Sequence, residues 1–379
     1  MKKRVAVLGA TGSIGKSTLD ILRNNKDRFR PVLFSAHKNH EELISLKKEF
    51  PGTLAALSDD CSLPPGIDYA GKHGLLEAIA SAKADITVNG ISGAAGLEPS
   101  AAVLNAGSDL ALANKETIVM AGNIIMSLAR EKKRNIIPVD SEHFAVFKLL
   151  EAHGKDNAEE IILTASGGPF RNYSMEQLKA VTVNEALAHP TWKMGPKITV
   201  DSASMANKGL EVIEAARLFG FKPDKIKVAI HPQSTVHSMI RLKDGAVYAQ
   251  MSNPDMKLPI HGALCWPDTV YSAYGRLNFD SLNLNFEKPN IEKFPMLGLA
   301  YKALQYGKHL PAVYNAANEM AVEAFFGGKI SFPEIPCLVE YVLDQGFLHA
   351  LECNTIEAVL DLDREARKKA ETYIENRSR

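Results

Sequence analysis

Between residues 4 and about 140, short apolar runs alternate with stretches of helical period. The runs are "RVAVLG", "PVLFSA", "TLAALS", "DITVNG", "DLALAN" and "NIIPVD", and stretches such as "GLLEAIASA" and "ETIVMAGNIIMSLAREKK" lie between them. Alternation of this kind predicts parallel strands joined by crossover helices, a doubly wound, Rossmann-like sheet. Ligands of such sheets sit at the carboxyl ends of the strands. Here those ends are the loops "GATGSIG", "SAHKN", "NGISGAAG", "NKE" and "DSEH".

From 141 to 266 the pattern becomes α+β. "EEIILTASGGPF" predicts a strand running into a Gly-rich turn, and "KVAIHPQSTVHSMIRL" and "GAVYAQMS" predict adjacent antiparallel strands turning at "KDGA". Residues 267–291, punctuated by Pro, Asn and Asp, read as a linker. Amphipathic stretches from 292 to 379, ended by Gly, predict a C-terminal α-helical domain whose role is packing. The expected class is therefore α/β, with a nucleotide domain (1–140), a central α+β catalytic domain (141–266), a linker and a helical domain.

Composition narrows the function more than the fold. A length of 379 residues is long for one core. Formal net charge is zero, so nothing draws the chain to nucleic acid or to an anionic membrane, and an anionic substrate must be held by local groups. Cys61, Cys265, Cys337 and Cys353 are scattered without a C-x-x-C pair, which disfavours a disulfide framework and suits a reducing cytosol. No apolar run is long enough for a bilayer, and the opening passes straight into a strand, so a cytoplasmic protein is expected.

The first turn decides which nucleotide is held. Gly15-Lys16-Ser17 ends like an ATP phosphate loop, but the glycine that loop needs at position 10 is Ala10. Gly9, Gly12 and Gly15 instead fit a dinucleotide turn, with a helix over Ser13–Asn24 offering its free N–H groups to a pyrophosphate. An NAD enzyme would carry Asp or Glu after strand two. This chain carries Ser35, His37, Lys38 and Asn39, which suits a 2′-phosphate and favours NADP, while a solvated loop before the helix "HEELISLKKEF" explains the segment equally well.

Four polar clusters could carry chemistry. Asp140 and Glu142 are two apart at a strand end, a spacing that in extended backbone aims both carboxylates at one face and calls for a hard cation such as Mg²⁺ or Mn²⁺. A helix N-cap at Asp140 explains the segment equally well. Ser202, Ser204, Asn207 and Lys208 precede or open a helix, as in a phosphate cradle, and Glu211 and Glu214 follow on one side. A capped amphipathic helix with exposed acids is the alternative. Ser166 in "TASGGPF" is followed by "AHPTWKMGPK", where His189, Trp192 and Met194 between Pro190, Gly195 and Pro196 read as a lid. Asn114-Lys115-Glu116 stands at a strand end, where a lysine can polarise a carbonyl. His231, His237 and His261 read as structural.

Taken in order, "GATGSIG", "ALANKE", "PVDSEH", "TASGGPF", "HPTWKMG", "VDSASMANKGLEVIEA" and "IHPQSTVHSM" resemble the 1-deoxy-D-xylulose 5-phosphate reductoisomerase family. The resemblance implies NADPH- and divalent-metal-dependent (Mg²⁺, Mn²⁺ or Co²⁺) rearrangement and reduction of a phosphorylated ketose to 2-C-methyl-D-erythritol 4-phosphate, in the non-mevalonate isoprenoid pathway. It also implies a homodimer. By it, Asp140, Glu142 and Glu211 would be metal ligands, with Glu214 behind them. Ser166, His189, Ser202, Asn207 and Lys208 would hold the phosphate. Ser141 and Lys115 would meet the hydroxyl and carbonyl end, and Trp192 would close over the carbon chain. Thr11, Gly12, Ser13, Ile14, Lys38, Asn39, Asn114, Glu116 and Gly195 would contact NADPH. His37 departs from the family's usual Gly before the Lys/Arg-Asn pair. The rivals are a metal-free NADP dehydrogenase of the semialdehyde or homoserine type, which would leave "DSE" and "KGLE" without a shared task, and a non-enzymatic NADP(H)-sensing module.

Overall fold

A computed structural model describes residues 2–192, 194–307, 309–347 and 353–377. Its backbone falls into two compact units. The first comprises residues 1–117, 125–144 and 255–275, and the second residues 118–124, 145–254 and 276–379.

The first unit is built on six parallel strands, β1 (Lys3–Leu8), β2 (Phe29–Ala36), β3 (Leu54–Leu57), β4 (Ile86–Asn89), β5 (Asp109–Leu112) and β6 (Ile136–Pro138), in the order β3-β2-β1-β4-β5-β6. All six apolar runs of the sequence become strands. Both faces are covered, so they need no polar alternation. Helices α1 (Ser13–Asn24), α2 (His40–Glu49), α3 (Gly71–Ala82), α4 (Leu97–Asn105) and α5 (Lys115–Lys132) follow successive strands. The order reverses between β1 and β4, which places the loops after those strands at the switch point where doubly wound sheets bind ligands. Helix α6 (Ser141–His153) follows β6.

In the second unit β7 (Ala158–Ala165) pairs parallel with β8 (Ile226–Ile230) and antiparallel with β9 (Val236–Leu242), and β9 pairs with β10 (Val247–Met251). The sequence reading took "KVAIHPQSTVHSMIRL" as one strand. The structure splits it around Pro232 and Ser234, whose φ of 52° is left-handed, so that its halves flank β7 on opposite sides. Proline cannot donate to a ladder, and a left-handed residue cannot continue one. Helices α7 (Met175–Lys179), α8 (Val183–Ala186), α9 (Pro196–Ala203) and α10 (Ala206–Phe219) lie between β7 and β8. Helix α11 (Lys257–Cys265) belongs to the first unit. The expected tail is α12 (Pro295–Tyr306), α13 (Leu310–Phe326), α14 (Glu334–Leu343) and α15 (Ile356–Arg377).

The three histidines have structural partners. His231 accepts from the Thr235 amide at 3.1 Å, so its other nitrogen donates to the Asn285 carbonyl at 2.9 Å. His237 meets Ser252 Oγ at 2.8 Å, and His261 lies 3.6 Å from the Cys265 sulfur.

Candidate functional site

The nucleotide end of the first unit is a turn made of backbone. Gly9 has φ of 76°, and a Cβ there would meet the Gly90 carbonyl oxygen at 3.0 Å. Gly12 caps α1 without a side-chain bond, and no acid occupies the first helical turn, so the amides of Ser13 and Ile14 remain available to an anion. A Cβ on Gly15 would overlap the carbonyl oxygens of Gly9 and Ala10. Ser35 is buried and accepts the Gly9 amide at 3.2 Å, so it braces the turn from strand two. Gly15→Ala is therefore expected to open the turn and weaken NADPH binding at least ~10-fold, about the 1.4 kcal/mol of a modest steric conflict. NADPH fluorescence titration checks this, and unchanged affinity would show that the turn does not touch the cofactor.

At the second cofactor loop Lys38 is exposed, while Asn39 caps α2 through the Glu42 amide at 3.1 Å. The sequence has no acid directly after strand two, yet the fold supplies one. Asp59, from the end of β3, lies 3.9 Å from Lys38 Nζ and 3.8 Å from His37 Nε2. Because β3 neighbours β2, this acid was legible only once the strand order was known.

Asn114 caps α5 by accepting the Thr117 amide at 3.0 Å. Its Nδ2 donates to Glu116 at 3.0 Å and to the Gly93 carbonyl at 2.9 Å. The next residue, Lys115, points its ammonium at Asp140 Oδ2, 2.6 Å away. Both groups are largely buried, at 6% and 12% exposure. His143 Nδ1 lies 3.3 Å from the other oxygen of Asp140. Burial alone would raise the Asp140 carboxyl, but the Lys115 charge and His143 outweigh it and hold the group well below the usual carboxylate range.

Asp140 also accepts the Glu142 amide at 3.2 Å, which corrects the premise of an extended pair. The strand ends at Pro138 and α6 begins at Ser141, so Glu142 already lies in a helical first turn. The cap and ligand readings are compatible, because Asp140 has two oxygens. A helix starting at Ser141 brings His143, three residues on from Asp140, beside that carboxylate. Ser141 Oγ donates to Glu142 Oε2 at 2.6 Å.

In the second unit β7 ends at Ala165, and Gly167 and Gly168, both with positive φ, turn the chain back over Ser166. Ser166 Oγ accepts the Gly168 amide at 3.2 Å and lies 3.0 Å from His189 Nε2. His189 Nδ1 accepts two amides, Thr191 at 3.1 Å and Trp192 at 2.9 Å. A nitrogen that accepts carries no proton, so the neutral ring bears its hydrogen on Nε2, facing Ser166. Burial lowers the His189 pKa. Trp192 lies with its ring centre 6.0 Å from that of His237 on β9, while the Thr191 and Trp192 amides fold the segment around His189. Beside Ser166 a cavity of about 430 Å³ is walled by Gly168, Arg171, Glu185 and Pro190.

Helices α9 and α10 form an elbow. Ser202 lies on α9, and Asn207 and Lys208 open α10. Glu211 and Glu214 are 0% and 1% exposed, so the exposed-acid alternative fails. Asn207 Nδ2 donates to Glu211 Oε1 at 2.6 Å, and Lys208 Nζ donates to Glu211 Oε2. Gly195 caps α9, and Lys193 lies outside the described residues.

Three family models match: 1-deoxy-D-xylulose 5-phosphate reductoisomerase over residues 5–122, and two descriptions of its C-terminal domain over 136–219 and 251–369. The chain is 48% identical to the 1-deoxy-D-xylulose 5-phosphate reductoisomerase of Trichlorobacter lovleyi, covering 97% of this chain and 96% of that protein. It is 46% identical to that of Treponema denticola, covering 99% and 98%. Among solved structures it is similar to the Zymomonas mobilis enzyme in complex with NADPH, with a TM-score of 0.91, 40% identity and coverage of 99% and 100%. It is also similar to a DOX-P reductoisomerase in complex with NADPH, fosmidomycin and magnesium, with a TM-score of 0.90, 37% identity and 98% coverage of both chains.

Proposed function

We infer the reaction from kinship: the chain belongs to the 1-deoxy-D-xylulose 5-phosphate reductoisomerase family. It is an NADPH- and divalent-metal-dependent enzyme that rearranges and reduces 1-deoxy-D-xylulose 5-phosphate to 2-C-methyl-D-erythritol 4-phosphate, a step of the non-mevalonate isoprenoid pathway. The observation that carries this is the near-full-length match to solved relatives holding NADPH, fosmidomycin and magnesium. A metal-free dehydrogenase would leave the buried carboxylates without a task, and the comparisons do not favour it. The decisive assay is NADPH oxidation with 1-deoxy-D-xylulose 5-phosphate, with and without EDTA; turnover that survives EDTA would sink the metal-dependent reading.

We propose the following residue roles. Asp140, Glu142 and Glu211 hold the divalent cation, as the family resemblance implies. An all-oxygen donor set suits Mg²⁺, Mn²⁺ or Co²⁺. The cation supplies Lewis-acid polarisation of the substrate oxygens when bound. Ser166, His189, Ser202, Asn207 and Lys208 hold the phosphate. Support comes from the Nε2–H of His189 and from the cavity beside Ser166. Ser141 and Lys115 meet the hydroxyl and carbonyl end, where the Lys115 ammonium donates toward developing negative charge. Trp192 closes over the carbon chain and excludes water. Thr11, Gly12, Ser13, Ile14, Lys38, Asn39, Asn114, Glu116 and Gly195 contact NADPH, supported at the pyrophosphate by the uncapped α1 amides.

By this reading residues 1–140 serve the cofactor and 141–266 the metal and substrate, with 267–291 a linker and 292–379 the helical domain. A homodimer in the cytoplasm is proposed on family resemblance. No helix among the described residues is long and apolar enough to cross a membrane.

Lys38 sets the cofactor preference. Lys38→Ala is expected to weaken NADPH about 10-fold or more while changing NADH by less than about twofold, as loss of a charge-assisted phosphate contact would do. Its contact with Asp59 is an exposed pair worth at most about 1 kcal/mol, so the 2′-phosphate can displace it. Equal losses for the two cofactors would show that Lys38 does not read the phosphate.

A further inference from the structure

The C-terminal helices read from sequence as packing, yet a buried polar contact joins one of them to the elbow that carries Ser202, Asn207 and Lys208. Asp201, beside Ser202 on α9, is 1% exposed. Its Oδ2 accepts Lys197 Nζ at 2.7 Å, and its Oδ1 accepts Asn318 Nδ2 at 2.8 Å. Asn318 is fully buried on α13, and its Oδ1 finds no hydrogen-bond partner among the described residues. The amide thus sits in the interior with half its capacity unmet, and the contact to Asp201 is what it provides there. An unmet buried group in a native structure calls for such a reason.

The surroundings leave the elbow no slack. Met205, between α9 and α10, is buried at φ of 66°, a left-handed conformation that costs a side-chain-bearing residue energy and persists only where neighbours enforce it. Ser204 Oγ bridges the bend, donating to the Asp201 carbonyl and accepting the Ala206 amide, each at 3.3 Å. On one side, a Cβ on Gly168 would meet the Ala203 Cα and the Ser202 oxygen at 2.9 Å. On the other, a Cβ on Gly209 would meet the Tyr314 hydroxyl and the Ala300 Cβ at 2.7 Å. Behind Asn318, Asn315 donates to Glu319 at 3.2 Å, and Glu319 accepts Arg367 of α15 at 2.5 Å. Two separate polar contacts thus tie the last helix to α13 and, through Asn318, α13 to Asp201.

We propose that Asp201 and Asn318 are positioning residues for phosphate recognition: through this contact the C-terminal helices fix the elbow that presents Ser202, Asn207 and Lys208 to the substrate phosphate. The inference rests on those three residues being phosphate ligands. Neither Asp201 nor Asn318 touches substrate. Both act by holding donors in place, where a shift of about 1 Å can cost ~100-fold.

The test compares Asn318→Asp, Asn318→Ala and the exchange Asp201→Asn/Asn318→Asp with the parent enzyme. Fosmidomycin affinity is measured by calorimetry with Mg²⁺ and NADPH present, and thermal midpoint and NADPH affinity are measured alongside. Asn318→Asp sets two carboxylates against each other. It should weaken fosmidomycin at least ~10-fold and raise KM more than it lowers kcat, with NADPH affinity within about twofold of the parent. The exchange restores one donor and one carboxylate to the contact and should recover most of the loss. If Asn318→Asp does not fold, Asn318→Ala, which removes the donor without adding charge, carries the same expectation. A folded Asn318 variant with parental fosmidomycin affinity overturns the proposal. So does an exchange that restores the thermal midpoint but not the affinity. Ser202→Ala separates the two layers of argument: unchanged affinity there removes the phosphate site and this proposal with it, whereas a loss there beside a normal Asn318→Ala removes the proposal alone.

Discussion

Glu211→Gln is expected to lower kcat by more than the ~100-fold typical of losing an outer partner of a metal site, while NADPH affinity stays within about twofold. The reason lies in what surrounds the carboxylate. Glu211 is fully buried, and its two oxygens accept Asn207 Nδ2 and Lys208 Nζ. In this arrangement its charge is balanced by a lysine that is itself 4% exposed. On the proposed assignment a cation held by Glu211 would take over that balancing role, and Asn207 and Lys208 would be free to turn toward the phosphate. Glutamine keeps the shape and one acceptor but removes the charge, so it weakens the metal and leaves the Lys208 ammonium without its counter-charge. Two losses should therefore appear together: a higher Mg²⁺ requirement in initial-rate titrations, and weaker fosmidomycin binding. Normal turnover at normal Mg²⁺ would rule Glu211 out as a ligand.

How far the sequence alone reaches is shown by particular residues. The six strands of the first unit were legible because strands covered on both faces need only be continuously apolar, and glycines punctuate them. Helix α1 was legible to its ends, because Gly12 and the run to Asn24 carry their own start and period. Less was legible where tertiary contacts decide. Ser35, read as a polar neighbour of the 2′-phosphate, instead braces the first turn, since a neighbouring strand offers it the Gly9 amide. Asp59 approaches Lys38 only because β3 lies beside β2. In α5 the backbone breaks helical geometry at Ala121, where the Arg217 guanidinium donates to the carbonyls of Ile118 and Val119. No local pattern announces that arginine, which burial brings down to a pKa of about 10. Glu211 and Glu214 could equally have faced water by period alone. Their burial is a property of packing, and it separates a ligand candidate from a solvated helix face.

Lys115→Met should be the most informative change in the first unit, with turnover reduced at least ~100-fold, as for other donors aimed at developing charge. It should also move the acid limb of the kcat/KM profile to higher pH. In the native protein burial raises the Asp140 carboxyl, and the Lys115 charge with His143 more than reverses it. Methionine removes the largest of the lowering effects and leaves the burial in place, so the carboxyl rises. A protonated Asp140 cannot offer its charge to a cation, so activity should fade sooner as pH drops. Stability gives a second reading, taken in EDTA so that no metal interferes. A carboxyl held below its unfolded value of about 3.9 stabilises the fold above that pH and loses the contribution only as pH falls through the lower folded value. The parent should therefore keep this contribution across pH 5 to 8. In Lys115→Met the same carboxyl keeps His143 but loses the Lys115 charge, so its folded value rises and its stabilising contribution shrinks. The gap in thermal midpoint between the two proteins should then widen as pH rises through the variant's folded value, toward the ~3–5 kcal/mol expected when a buried pair loses one partner. A gap that stays constant with pH, beside an acid limb that has not moved, would show that Lys115 does not control the charge of Asp140.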